Sequence, residues 1–63
     1  MNNWKITARQ KWQKGDMLIY IYHSSFMGDY AVDVEKKRRV IIHEHFKSIR
    51  EAVKRANHFM EIY

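Results

Sequence analysis

The stretch that decides the fold is Phe46-Lys-Ser-Ile-Arg-Glu-Ala-Val-Lys-Arg-Ala-Asn-His-Phe-Met-Glu-Ile-Tyr63. Ser48 and Glu51 form a capping box, in which the serine hydroxyl accepts a hydrogen bond from an early helical N–H and the glutamate reaches back to the cap. The apolar residues that follow recur at helical spacing: Ile49, Ala52, Val53, Ala56, Phe59, Met60 and Tyr63. The stretch therefore predicts one amphipathic helix over about residues 49–62, whose apolar face must be covered by the preceding part of the chain.

The residues before the helix have the pattern of short β-strands separated by turns. Apolar and polar residues alternate with a period of two, and β-branched and aromatic residues are frequent. Turns are indicated by Gly15, by Gly28 and by the basic run 36–39. We therefore predict strands over four ranges, at about residues 4–12, 17–23, 30–35 and 40–45.

The connections between these strands determine the fold class. Short turns favour an antiparallel meander, because parallel neighbours would need crossover connections of about a dozen residues or more. The helix can then cover only one face of the sheet. The sequence predicts an α+β fold, an antiparallel β-meander of three to four strands packed on one face by a single C-terminal α-helix. Residues 1–63 form a single domain, which at this length is expected to be marginally stable.

The turn at the basic run decides which side chains of the last two strands meet the helix. The preferred register directs four aliphatic residues toward it: Val32, Val34, Val40 and Ile42. This register requires an odd number of loop residues, whereas an even number would place His43 and His45 beside the valines. Because burying two histidines costs more, we predict the odd loop, with Glu35 opposite Arg39 on the outer face.

The composition limits the classes of function that the chain can have. Twelve Lys and Arg against seven Asp and Glu give a formal charge of +5, which indicates either an anionic partner or a role in solubility. The absence of cysteine excludes disulfides and thiolate metal sites. Residues 1–5 lack the features of a signal peptide, and the longest apolar run, 17–22, is too short to span a bilayer. We therefore expect a cytoplasmic protein with no membrane partner.

Cations and tyrosines on the predicted strands form a candidate nucleic-acid surface. Phosphate contacts need cations spread over a surface, and base readout needs polar or aromatic side chains that project from a strand into a groove. The candidate binding residues are Lys5, Arg9, Lys11, Tyr20, Tyr22, Lys36, Lys37, Arg38 and Arg39. The tyrosines contribute only if the odd-numbered residues of segment 17–23 are buried, and the opposite assignment stays open.

Two observations oppose a nucleic-acid surface. The basic run 36–39 is equally typical of a solvated hairpin that discourages edge-to-edge pairing. Asp29, Asp33 and Glu35 would also repel phosphates if the outer sheet face approached them. We nevertheless expect a small basic protein that binds nucleic acid, most of all DNA, through an exposed sheet face and the basic hairpin.

The second half of the chain resembles a known family of DNA-binding domains. Tyr30-Ala-Val-Asp-Val, a basic turn, a short strand and then Phe46-x-Ser48-x-x-Glu51-Ala52-x-x-x-Ala56 are similar to the arm-site domain of phage and transposon tyrosine integrases. The resemblance covers residues 17–63 and implies a three-stranded antiparallel sheet whose open face enters the major groove. The same strand-to-helix entry occurs in HicB-type antitoxin domains and in small phage and bacterial families.

Two departures from the integrase pattern bear on this resemblance. His45 stands where integrases often carry glycine, and no recombinase domain follows the helix. The resemblance therefore implies a freestanding DNA-binding protein, of the kind that phages and mobile elements encode.

A protein-binding module is the alternative hypothesis. Phe26 and Met27 lie in a turn, where two large apolar side chains indicate contact with a partner, and Tyr20 would add to the same surface. A homodimer that pairs two open sheet faces, or a complex with an acidic protein, would cover them. On this hypothesis the chain is an inhibitor, an antitoxin-like protein or an adaptor.

Catalysis and metal binding are not expected. His43 and His45 lie on one side of a strand, but a zinc site needs three or four ligands and Glu44 points to the other face. Ser48 is used as a helix cap, and the sequence contains no glycine-rich phosphate loop. A small sheet with one helix also leaves little room for a substrate cleft. We therefore expect no enzyme, no catalytic residue, no metal ligand and no cofactor.

Overall fold

One antiparallel sheet and one helix make up residues 3–25 and 28–63, the part of the chain that this computed structural model describes. The elements are β1 (Lys5–Ala8), β2 (Lys11–Lys14), β3 (Met17–Ser24), β4 (Asp29–Lys36), β5 (Arg39–Phe46) and α1 (Ile49–Ile62). The strands lie in the order β1-β2-β3-β4-β5, and α1 packs against β3, β4 and β5. The predicted α+β meander with a C-terminal helix is confirmed, with five strands in place of three to four.

The segment 4–12, predicted as one strand, is instead the hairpin of β1 and β2. Its turn consists of Arg9 and Gln10, and Gln10 has a φ of 59°, which residues other than glycine seldom adopt. A hydrogen bond of 2.9 Å from the Ile21 N–H to the Gln10 carbonyl ties the turn to β3. Neither turn residue is a common turn former, so the alternating pattern continues through the reversal and conceals it.

The core lies between α1 and one face of the sheet. The side chains that β3 and β4 contribute to this core are the alternate residues Met17, Ile19, Ile21, Val32 and Val34. The helix contributes Ala52, Ala56, Phe59 and Met60. The alanines bring the helix backbone close to the sheet, where dense packing stabilises the fold. Tyr20 and Tyr22 therefore lie on the opposite, open face, because strand side chains alternate between faces.

The connection between β4 and β5 is a two-residue turn followed by a bulge. Lys36 pairs with Arg39, so the turn holds two residues instead of the predicted odd number. Glu35 lies opposite Val40, where Arg39 was predicted. The register then shifts, because Ile41 is an extra residue on β5 without a partner of its own on β4.

Because of the bulge, the residues of β5 after Ile41 face the same sides of the sheet as the predicted odd loop would have given them. Beyond it, Val34 lies opposite Ile42 on the helix side, and Asp33 lies opposite His43 on the open face. Val40 was predicted to face the helix, but it precedes the shift and is 51% exposed. An even turn and one extra residue therefore have the same effect on facing as an odd loop.

Contacts at both ends of α1 fix its position. Ser48 is the N-cap, and its hydroxyl accepts a hydrogen bond of 3.2 Å from the Glu51 N–H. Near the other end, the Trp4 indole N–H donates to the Met60 carbonyl at 3.1 Å, which joins the start of the sheet to the last turn of the helix. Among the described residues, no helix has both the length and the apolar character that a bilayer crossing requires.

Candidate functional site

The turn between β4 and β5 presents the densest group of cations in the described chain. Lys36, Lys37, Arg38 and Arg39 are consecutive and exposed. Lys37 and Arg38 have φ values of 53° and 67°, the pattern of a two-residue type I′ turn. The Lys37 N–H donates to the Asp16 carbonyl at 3.1 Å, so this turn is braced against the turn between β2 and β3.

These four cations have no carboxylate partner within the described part of the chain. The ion pairs found there involve His43, His45 and Arg55. Arg55 illustrates a compensated cation, because its Nε lies 2.9 Å from a Glu44 carboxylate oxygen and this hydrogen bond raises the pKa of the guanidinium. No direct ion pair therefore neutralises the turn, although Asp16 and Glu35 line the same surface depression as Lys37 and Arg38.

The other predicted cations are divided between the two ends and the middle of the sheet. Lys5 begins β1 and aligns through Gln13 with Leu18 and Glu35, which places it at the same end as the basic turn. Lys11 is opposite Tyr20 in the middle of the open face. Arg9 lies in the β1–β2 turn at the far end. We call Lys5, Lys36, Lys37, Arg38 and Arg39 the basic end.

The centre of the open face is acidic rather than basic. Tyr20 is opposite Asp33 in the register, and its ring centroid lies 5.9 Å from that of Tyr22. Burial raises the pKa of Tyr20 most, and the nearby carboxylates of Asp33 and Glu35 raise it further. Burial followed by Asp33 raises the pKa of Tyr22 in the same way. Both tyrosine hydroxyls thus donate hydrogen bonds to nearby carboxylates. Either hydroxyl would have to give up this hydrogen bond before it could contact a base.

A chain of hydrogen bonds crosses the open face from β4 to β5 and back. The Nδ1 atom of His43 contacts a carboxylate oxygen of Asp33, which is only 6% exposed. The Nε2 atoms of His43 and His45 are 2.8 Å apart. The Nδ1 atom of His45 lies 3.0 Å from a carboxylate oxygen of Asp29. We call Asp29, Asp33, His43 and His45 the histidine cluster.

The histidine cluster was missed at the level of sequence because its partners come from different strands. The two histidines and the two aspartates are visible as His-x-His in β5 and Asp-x-x-x-Asp in β4. Their pairing depends on the bulge, since only the shifted register places Asp33 opposite His43. In a regular hairpin, the residue numbers of every opposite pair add up to the same value, and this rule would have indicated the partners of the histidines. The extra residue Ile41 changes that value between Lys36–Arg39 and Asp33–His43, so the rule fails here.

The predicted protein-interaction surface is only partly described. Phe26 and Met27 lie outside the described residues, so their part in it stays a prediction. Tyr22, Val40 and Ile41 are 41%, 51% and 46% exposed and supply apolar surface on or beside the open face. Tyr20 is less exposed and is held by its contacts with Asp33 and Glu35.

Comparison with known proteins identifies no relative. The chain matches no protein-family model, no curated protein and no solved structure. The candidate sites must therefore be judged by their own geometry and charge.

Proposed function

We propose that this protein binds nucleic acid, duplex DNA in the first place, through the basic end. One observation carries the proposal: Lys37 and Arg38 occupy the two positive-φ positions of the turn and have no carboxylate partner among the described residues. A type I′ turn favours Asn-Gly, because glycine and asparagine adopt these conformations at little cost. Each bulkier residue costs about 1–2 kcal/mol there. Two cations at strained positions thus support a role for their charges outside folding.

The position of the turn suits contact with phosphates. β4 pairs with β3 as well as with β5, so the turn lies at the end of a continuous sheet, where Lys37 and Arg38 are exposed to a DNA backbone. Lys5 adds a further cation at the same end of the sheet. Cations in this arrangement neutralise phosphates and release counterions, which is the main source of affinity that does not depend on sequence.

We restrict the proposal to the basic end and leave the open face out of it. Asp29, Asp33 and Glu35 lie on that face, and they would meet phosphates with like charge. The integrase resemblance implies contact through the open face. In this chain the electrostatics favour contact with phosphates through the basic end instead.

The test replaces the turn with the dipeptide that its backbone prefers. Lys37→Asn combined with Arg38→Gly removes two cations and relieves two strained φ values. We expect the unfolding free energy to rise by about 1–2 kcal/mol, because glycine relieves the strain at one position and asparagine relieves part of it at the other. Affinity for duplex DNA should fall, and the slope of log K against log salt should become shallower by about 0.9 for each lost phosphate contact. Fluorescence anisotropy at several salt concentrations and urea unfolding measure the two effects.

The matched control removes the same charge from the helix. Arg50→Gln combined with Lys54→Gln deletes two exposed cations of α1 and leaves the turn intact. The turn variant should lose at least tenfold more affinity than this control. Equal losses would mean that net charge alone governs binding, and a wild-type protein that binds no duplex at low salt would end the proposal. Since the turn variant is expected to be more stable, unfolding could not explain its loss.

A second candidate function is a protein interface on the open face. Tyr22, Val40 and Ile41 expose apolar surface there that neither α1 nor another described element covers. A second copy of the chain would bury this surface as a homodimer. Tyr22→Ser with Ile41→Ser should then convert a dimer to a monomer in sedimentation equilibrium, while the turn variant should leave the association unchanged. A wild-type protein that is monomeric at high concentration excludes the dimer.

A further inference from the structure

The histidine cluster has the geometry of a cation site. His43 and His45 lie two residues apart on β5, so both imidazoles project from the open face, with ring centroids 4.6 Å apart. Each ring directs its Nδ1 atom to a different aspartate, and the two Nε2 atoms approach to 2.8 Å. The side chains of His43 and His45 are 44% and 34% exposed, so a small ion has access to them.

The hydrogen-bond geometry favours a cation between the two rings. An ionised carboxylate can only accept a hydrogen bond, so each histidine donates its Nδ1–H to an aspartate. A neutral imidazole with its proton on Nδ1 carries a lone pair on Nε2. Two neutral rings would therefore direct lone pairs at each other across 2.8 Å, which is repulsive. One shared proton satisfies both nitrogens at this distance, and a metal ion would satisfy both lone pairs at a larger separation.

We propose that His43 and His45 bind a divalent transition-metal ion of the zinc class through their Nε2 atoms, with Asp33 and Asp29 orienting the two rings. Metal-binding histidines almost always donate the other ring N–H to a carboxylate or carbonyl, which fixes the tautomer and raises ligand basicity. Both histidines of the cluster have this arrangement. Imidazole nitrogen selects zinc, copper or nickel over magnesium and calcium, which prefer oxygen ligands.

The required adjustment of the rings is small. Zinc–nitrogen bonds of about 2.0–2.1 Å in a tetrahedral site place two nitrogens about 3.3 Å apart. The Nε2 atoms are at 2.8 Å, so metal binding requires the two nitrogens to separate by about 0.5 Å and to turn their lone pairs toward one point. Among the described residues, no group of three or more His, Cys, Asp and Glu side chains is arranged to hold a metal. The chain thus supplies two ligands, and the other positions are open to water.

This site accounts for the role of the aspartates, which the sequence argument overlooked. From the sequence no zinc site was expected, because Glu44 points away from the histidines, and Glu44 indeed pairs with Arg55 on the helix side. The carboxylates that matter come from β4 and contact the far side of each ring. They act as orienting groups, so the site does not need them as direct ligands.

Zinc titration of the whole protein tests the proposal. Zinc chloride is added while calorimetry records heat and NMR follows the imidazole resonances, with magnesium chloride as the comparison ion. We expect zinc to shift the resonances of His43 and His45 and to leave those of His58 in place, and we expect magnesium to shift none of them. His45→Gln should weaken zinc binding about 100-fold, and Asp29→Asn should weaken it between about 10-fold and 100-fold, as loss of an orienting carboxylate does.

The matched control is His58→Gln, which removes an exposed histidine of α1 and should keep the wild-type zinc affinity. His45→Gln and Asp29→Asn are preferred to changes at Asp33, because that side chain is buried and its loss could unfold the chain. Circular dichroism establishes that each variant is folded. Equal zinc affinity in His45→Gln and His58→Gln, or no shift of the His43 and His45 resonances at millimolar zinc, would overturn the proposal.

Discussion

At the scale of single residues, Asp33 is the centre of the open face. It is the one polar residue found buried in the described chain, and Tyr20 and His43 lie opposite it on the two neighbouring strands. A buried carboxylate is costly unless hydrogen bonds compensate it. The contacts from both sides provide that compensation, so the face is a connected polar network and its members cannot be exchanged independently.

The raised pKa of Tyr20 leads to a prediction about alkaline stability. Its folded-state pKa lies above the unfolded value of about 10, so the stabilisation is complete at neutral pH and is lost as pH rises beyond about 10. Tyr20→Phe should lower the unfolding free energy by about 1 kcal/mol at pH 8, because one hydrogen bond to a carboxylate is lost. Urea unfolding at several pH values should show the two stability curves converging above pH of about 10. Curves that stay parallel would contradict the assignment.

At the scale of elements, sequence patterns predicted the helix better than the hairpins. The helix runs from Ile49 to Ile62 because Ser48 is a strong cap and the alanines and Phe59 repeat at its period. The first hairpin was not predictable, because Gln10 adopts a positive φ without being a usual turn residue. Residue preferences reveal a turn only where its backbone conformation requires particular residues, such as glycine or asparagine. This turn is instead held by a tertiary contact, the hydrogen bond from the Ile21 N–H to the Gln10 carbonyl.

The candidate sites differ in predictability for the same reason. The basic end was visible because residues 36–39 are consecutive in the sequence. The histidine cluster joins residues from two strands, and a one-residue error in register would move His43 to the other face. A sequence pattern can show which side chains lie on the same face of one strand. The bulge at Ile41 decides which residues of β4 lie beside those of β5 on the same side of the sheet.

The bulge leads to a prediction about deletion. Removing Ile41 leaves a regular hairpin in which Val34 still lies opposite Ile42, so every later residue keeps its face. The deletion should change the unfolding free energy by less than about 1 kcal/mol, as is usual for exposed positions. Deletion of Leu18 from β3 is the control, since no bulge there can absorb it and the buried residues would change face. Thermal unfolding followed by circular dichroism compares them, and equal damage from both deletions would refute this role of the bulge.

At the scale of the whole molecule, β2 pairs with β3, but few residues join the first hairpin to the helix. The helix packs against β3, β4 and β5, while β1 and β2 join the sheet edge. Trp4 connects this edge to the helix by its burial and by its hydrogen bond to the Met60 carbonyl. Lys14 adds a second link, since its Nζ lies 2.6 Å from the Tyr63 carbonyl oxygen.

Trp4 should therefore carry a large part of the stability of the domain. Replacing a buried tryptophan with alanine costs about 3–5 kcal/mol. A single core in a chain of this length rarely supplies more than about 3–5 kcal/mol in total, so Trp4→Ala should leave most molecules unfolded at room temperature. Ile6→Ala is the control on the same hairpin, because Ile6 is 75% exposed and its loss should cost no more than about 0.5 kcal/mol. Urea unfolding followed by tryptophan fluorescence from Trp12 compares the variants. A Trp4→Ala protein that unfolds cooperatively, with a loss below about 1 kcal/mol, would show that the first hairpin is not part of the folding unit.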